Sequence, residues 1–307
     1  MTPVIQTQNL SRRYGRTDAL RGLDLTIPKQ AIYALVGPNG AGKTTIIKLL
    51  MNILRPTTGA AQVLGHPSGN LAGEVFARIG YVSENQELPE WMTVRYFLNY
   101  LRPFYPTWDS ALEEHLLRQF DLPIDRKLKH LSRGMKMKVA LASVLAYRPA
   151  LIVLDEPFSG LDPLVRDELI EGLLERAPEC TILLSSHDLA EIESFATHVG
   201  YINNGRLLFS EEMSVLGDRF REVEITLNQP EPLPAIVPST WLQPQAIGTV
   251  IRFTHTEAAN GAAAAELAQA FPNARDITLT PMTLRSIFLA IAKSSSTHSS
   301  SQKGREA

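Results

Sequence analysis

Three short apolar runs, each closed by glycine or polar residues, stand out along the chain: Ala31 to Val36 (AIYALV), Ala150 to Leu154 (ALIVL) and Thr181 to Ser185 (TILLS). Apolar runs of this length without polar alternation predict strands buried on both faces, as in a parallel sheet. The first feeds a glycine-rich turn and a helix over Thr44 to Asn52. The second is closed by Asp155-Glu156-Pro157 and the third by Ser186-His187. Strands alternating with helices predict βαβ units, hence an α/β fold around a mostly parallel sheet covered on both faces.

Between the first two runs, from about 87 to 148, the pattern changes to helical periods at Val94 to Leu101, Ala111 to Phe120 and Ser132 to Tyr147, which predicts an inserted helical subdomain. After Leu208, the strand-like segments REVEITL (221–227) and TVIRFTH (249–255) are separated by the proline-rich turn region QPEPLPAIVP. An alanine-rich helix around 257–270, a short strand at 275–279 and a helix at 282–292 complete a small α+β appendage. The stretch SSSTHSSSQKGREA at the end is too polar to bury a core and predicts a disordered tail. The expected organisation is an α/β core over 1–215, an appendage over 216–293 and a tail over 294–307.

A length of 307 residues fits two packed units or one core with an insert. Lys+Arg 30 against Asp+Glu 32, a net charge of -2, removes the basic footprint expected of a nucleic-acid partner or an anionic membrane surface. The single cysteine, Cys180, cannot form an intrachain disulfide, suits a reducing compartment and reads as an inert packed thiol. No apolar leader and no apolar stretch of about 18 to 20 residues is visible, so a cytosolic, soluble chain is expected.

Gly37-Pro38-Asn39-Gly40-Ala41-Gly42-Lys43-Thr44 fits G-x-x-x-x-G-K-[ST] between a buried strand and a helix. The glycines let successive backbone N–H groups converge on nucleotide phosphates, the helix N-terminus favours negative charge, and Lys43 adds a point charge. Thr44, followed by Thr45, offers its hydroxyl to Mg²⁺. Ligands gather at the carboxyl ends of strands in open parallel sheets, so Asp155 and Glu156 are expected at the same edge. Asp155 can hold Mg²⁺ through water, and Glu156 can orient and polarise the water that attacks the γ-phosphate. His187, ending the third strand at that edge, can bond the γ-phosphate and the attacking water. Ser132 is a plausible N-cap for the helix it opens.

The order of phosphate loop, LSRGM (131–135), LIVLDEP (151–157), SGLD (159–162) and SSHD (185–188) resembles the ATP-binding subunit of ABC transporters over about residues 1 to 215. The resemblance implies ATP and Mg²⁺ as cofactors and a head-to-tail dimer, with this chain or another ATP-binding subunit, around two ATP molecules. Within it, Ser132 and Gly134 would complete the partner's site, and Ser159-Gly160-Leu161-Asp162 would link the two sites. His187 would be the switch histidine, and Tyr14 the aromatic that stacks on adenine. The expected activity is ATP hydrolysis powering separate permease subunits, with the protein held peripherally on the inner face of the plasma membrane. No internal repeat is evident, so one ATPase cassette per chain is expected. A soluble relative acting on ribosomes or DNA would carry two cassettes, a long coiled coil or a basic surface, and none is present.

Two positions depart from the family pattern. Glu84, in IGYVSENQ (79–86), aligns with the usual glutamine as a candidate Mg²⁺ or water ligand, and Gln86 is the alternative if the register slips by two. Arg133 replaces the signature's first glycine, where it either donates to a phosphate or points toward the helical subdomain. LSRGM together with FYPTWD (104–109) is similar to the branch of acetoin-utilisation and antibiotic or peptide export ATPases, and the helix at 282–292 is similar to the ending of many exporter ATPases. Aromatics crowd residues 91–108. Those that are not core are expected to line a groove for a cytoplasmic helix of a membrane partner.

Overall fold

The computed structural model describes residues 2–234, 236–258 and 262–291. The tail expected at 294–307 and the last residue of the helix expected at 282–292 lie outside them. Two compact units divide between Ser210 and Glu211.

The first unit opens with strands β1 (Ile5–Tyr14), β2 (Thr17–Leu23) and β3 (Thr26–Ile27). Then β4 (Ile32–Val36) runs into helix α1 (Lys43–Leu50), and β5 (Thr58–Val63) and β6 (His66–Pro67) return to the first strands. This antiparallel sheet has the order β2-β1-β5-β6, with β3 also on β1. Nothing in the sequence pattern anticipated it. The reason lies in β1, which does not alternate cleanly: its register slips near Leu10 and Arg12, and Asn9 takes a left-handed φ of 46°.

After α2 (Gly73–Phe76) and β7 (Ile79–Val82) come three helices, α3 (Val94–Leu101), α4 (Ser110–Gln119) and α5 (Arg133–Leu145). Each starts on a side chain that accepts a backbone N–H: Thr93, Asp109 and Ser132, the last from Met135 N. The chain then alternates through β8 (Leu151–Asp155), α6 (Pro163–Arg176), β9 (Thr181–Ser186), α7 (Leu189–Ile192), β10 (His198–Asn203) and β11 (Arg206–Glu212). The six-stranded sheet has the order β11-β10-β4-β9-β8-β7, parallel from β10 to β7.

Every residue of β4, β8 and β9 is buried, as the unbroken apolar runs require. Helix α1 lies between the two sheets, where Ile46, Ile47, Leu49 and Leu50 share a core with Ile5 and Leu10 on one side and Leu35, Val153 and Leu183 on the other. Each such side chain contributes about 1.5–3 kcal/mol on full burial.

The second unit contains α8 (Met213–Arg219), β12 (Arg221–Leu227), β13 (Trp241–Ile247), β14 (Val250–His255), α9 (Ala262–Ala270), β15 (Ala274–Pro281) and a helix over 284–291. Its antiparallel sheet has the order β13-β14-β12-β15. The alternation in β12 puts Val223, Ile225 and Leu227 on one face, against Trp241, Phe253, Leu267 and Phe271. β13 is a strand where the sequence suggested none. Pro244 sits in it because β13 is at the sheet edge and carries a register slip between Leu242 and Gln245, so the missing N–H breaks no ladder. α9 is described over Ala262–Ala270, with 257–258 outside it although the helix was expected from about 257, and β15 is longer than the expected strand.

Candidate functional site

Register decides what the parallel sheet can do. Val36 on β4 is level with Ser186 on β9, Ser185 with Asp155 on β8, and Leu154 with Val82 on β7. All four strands therefore end at one edge. The loops that follow them deliver Gly37–Thr44, Glu84, Glu156 and His187 to it.

A cleft of about 320 Å³ opens at this edge, lined by Asn39, Gly40, Ala41, Gly42, Lys43, Thr44 and Thr45 from the phosphate loop and α1. Glu84, Glu156, Ser159, His187 and Ala19 complete the wall. The loop's backbone is constrained at two glycines. Gly42 has φ 114°, and a Cβ on it would lie 2.8 Å from the Ala19 carbonyl oxygen. A Cβ on Gly37 would lie 2.1 Å from the Ile202 carbonyl oxygen, so β10 approaches too closely for any side chain there.

One run of charges crosses the cleft. Lys43 Nζ donates to the carbonyls of Gly37 at 2.7 Å and Pro38 at 3.3 Å, and pairs with Glu156 Oε1 at 3.0 Å. His187 Nδ1 donates to the other carboxylate oxygen, Glu156 Oε2, at 2.7 Å. The Lys43 and Glu156 side chains are 6% and 10% exposed, so the pair is largely shielded from water, while His187 reaches solvent. Glu156 itself adopts φ 49°, a left-handed conformation that costs a non-glycine residue about 1–2 kcal/mol. Its N–H donates to Ser185 Oγ at 2.9 Å, which helps hold that turn.

Asp155 lies beneath the cleft and is buried. It accepts from Ser185 Oγ at 2.7 Å and from Thr44 Oγ1 at 3.2 Å. Thr44 hydroxyl, Asp155 carboxylate and Glu84 form a hard-oxygen donor set. Among the described residues there is no cluster of three or more His, Cys, Asp or Glu arranged to hold a metal ion. Such a set suits Mg²⁺, which is held by one or two carboxylates and otherwise keeps water and phosphate oxygens. Burial, followed by the Asp155 carboxylate, pushes the nearby Tyr81 hydroxyl up, so it stays protonated.

Of the two registers left open at 79–86, Glu84 faces the cleft. Gln86 turns back instead, its Oε1 accepting from Ser83 N at 3.2 Å. Ser132, Gly134 and Asp162 lie outside the cleft wall. Ser132 is exposed at the start of α5, Gly134 packs against Val165, and Asp162 caps α6 by accepting from Val165 N at 3.1 Å. Tyr14 also lies outside the wall, half exposed at the end of β1 with the Arg12 guanidinium over its ring at 4.7 Å. Ser159, expected in the loop that links two sites, is in the wall of this cleft, whereas sequence reasoning assigned no site role to Ala19 or Ser185. Only Ser185 left a signal, since two serines ending an apolar strand are anomalous unless they bond something.

The aromatics of 91–108 divide. Trp91, Tyr96, Tyr100 and Phe104 are exposed. Phe97 and Tyr105 instead line an apolar cavity of about 630 Å³ with Tyr81, Val144 and Tyr147. Trp91, Tyr96, Tyr100 and Phe104 are not among the residues that line this cavity.

The sequence matches the family model described as ABC transporter over residues 20–159. It is similar to an uncharacterized ABC transporter ATP-binding protein, YcbN, of Bacillus subtilis (strain 168), with 35% identity over 237 residues, 75% of this chain and 76% of that one. The bacitracin transport ATP-binding protein BcrA of Enterococcus faecalis is 31% identical over 226 residues, 72% and 73% of the two chains. A solved ATP-binding subunit of an ABC transporter superposes with a TM-score of 0.63 at 30% identity, covering 68% of this chain and 90% of that one.

Proposed function

Since this chain belongs to the ATP-binding subunits of ABC transporters, we propose that its cleft binds ATP with Mg²⁺ and hydrolyses it to drive separate permease subunits. The observation that carries this reading is the run Lys43–Glu156–His187. Lys43 Nζ has three donors, two of them held by Gly37 and Pro38. A phosphate oxygen takes the third in place of Glu156 Oε1, adding to the backbone N–H groups of residues 39–44. Glu156 Oε1 is thereby released to accept a proton from water while His187 holds Oε2 in place. The water oxygen bonds to the γ-phosphorus, the bond to the β–γ bridging oxygen breaks, and ADP and phosphate leave. Thr44, Asp155 and Glu84 would hold Mg²⁺, which when bound draws charge from the phosphate oxygens.

Ser132, Gly134 and Asp162 lie outside this cleft, and their role is to complete the ATP site of a second ATP-binding subunit, a copy of this chain or another. Tyr14, with one face on Arg12, offers the other to adenine. No helix among the described residues is long and apolar enough to cross a membrane. The relatives named as transport ATP-binding proteins support a reading in which the spanning part is supplied by other chains and the protein sits on the inner face of the plasma membrane through them. The apolar cavity beside α3 and α5 is where a cytoplasmic segment of such a partner docks. The relative named for bacitracin transport supports export of a peptide antibiotic, with selection exercised by the membrane partner. No nucleic acid is required.

The test is phosphate release from MgATP by the purified chain and by Glu156→Gln. The variant is expected to bind ATP, to lose turnover by at least about a hundredfold and to elute as an ATP-dependent dimer. Turnover at the unmodified rate would remove Glu156 from the mechanism.

A further inference from the structure

Glu84 and Arg133 line the same cavity. It has a volume of about 380 Å³ and is walled by Glu84, Asn85 and Gln86 from the loop after β7 and by Arg133, Lys136 and Met137 of α5. Glu84 also lines the nucleotide cleft, so its carboxylate forms part of both walls. Lys136 is committed to Glu90, 3.4 Å away. Among the described residues neither Glu84 nor Arg133 has an ion-pair partner within 4.0 Å, which leaves them as the uncommitted opposite charges of this cavity. The Arg133 side chain also reaches the turn after β8: a Cβ on Gly160 would lie 2.9 Å from Arg133 Nη1, and the adjacent Ser159 is in the wall of the nucleotide cleft.

A carboxylate beside a polyphosphate raises the electrostatic cost of binding, and a guanidinium across a small cavity lowers it. We infer that Arg133 is a positioning residue acting through Glu84: its charge offsets the carboxylate within the same chain, so that a nucleoside triphosphate is accepted beside Glu84. This rests on the reading that the cleft takes ATP. It does not require that ATP be hydrolysed.

The test is a double-mutant cycle of Glu84→Gln and Arg133→Gln, with Lys136→Gln as the control for removing an already paired charge. Affinity for a fluorescent ATP analogue is measured in EDTA, and MgATP turnover in parallel. Arg133→Gln is expected to weaken binding about tenfold at low salt and about threefold or less in 0.5 M KCl, because screening weakens Glu84's repulsion of the phosphates. The double variant should return to within about twofold of the unmodified chain, and Arg133→Lys should retain most of the affinity. The inference is overturned if the deficit of Arg133→Gln persists in the double variant, or if Lys136→Gln weakens binding equally. Coupled binding with no turnover in any protein would sink the hydrolytic reading and leave this one standing. Turnover by the unmodified chain with independent single effects would do the reverse.

Discussion

The parallel sheet of the first unit and the antiparallel sheet of the second both bury a continuous apolar core, yet only the first gathers reactive side chains. In the parallel sheet, β4, β7, β8 and β9 run the same way, so their carboxyl ends share an edge and four separate loops meet around one cleft. In the antiparallel sheet, successive ends alternate between two edges. Its polar residues pair across neighbouring strands, as Arg252 does with Glu224 at 2.8 Å. Its one buried polar residue among those described, His255, accepts a hydrogen bond from Glu257 N at 3.1 Å and serves the core. The lesson is topological: similar burial stabilises both sheets, while strand direction determines where chemistry can collect.

The sharpest break of this contrast is Trp241→Ala. Trp241 stacks on Phe253 with centroids 4.2 Å apart and donates to Glu266 Oε1 at 3.2 Å, so truncation is expected to cost about 3–5 kcal/mol in urea denaturation. Affinity for ATP should stay within about twofold, and a larger loss would mean the second sheet supports the cleft. Lys43→Ala should do the opposite, weakening ATP binding about a hundredfold, or about 2.7 kcal/mol, in a nucleotide titration. Smaller still, Gly217→Ala in α8 meets no atom within 4 Å and should raise stability by about 0.5–1 kcal/mol, read as a higher denaturation midpoint.

The finest probe concerns pH and returns to the first unit. The backbone N–H of Leu112, then Arg148, holds the Asp109 carboxyl below the usual carboxylate range. A depressed acid contributes stability that is full above its unfolded value, about 3.9, and is lost as pH falls through the lower folded value. Asp109→Asn should therefore flatten the fall in urea midpoint below about pH 4, with no change in slope near neutrality.

The unbroken apolar runs at 31–36, 150–154 and 181–185 made the parallel sheet legible, because strands buried on both faces leave that pattern whatever their partners. The phosphate loop was equally legible, since backbone convergence on an anion demands glycines at set spacing within one segment. The antiparallel strands of the first unit and β13 were not legible. Their bulges at Asn9 and Gln243 break the two-residue alternation that is a strand's signature. By itself, the sequence determined the fold class, the family and the residue types of the site. Tertiary structure alone decided that Glu84 and not Gln86 faces the cleft, that Lys43 and His187 meet on Glu156, and that Arg133 shares a cavity with Glu84. Those are contacts between loops from different strands, set by inter-strand register and by a left-handed turn at Glu156, and no local periodicity encodes either.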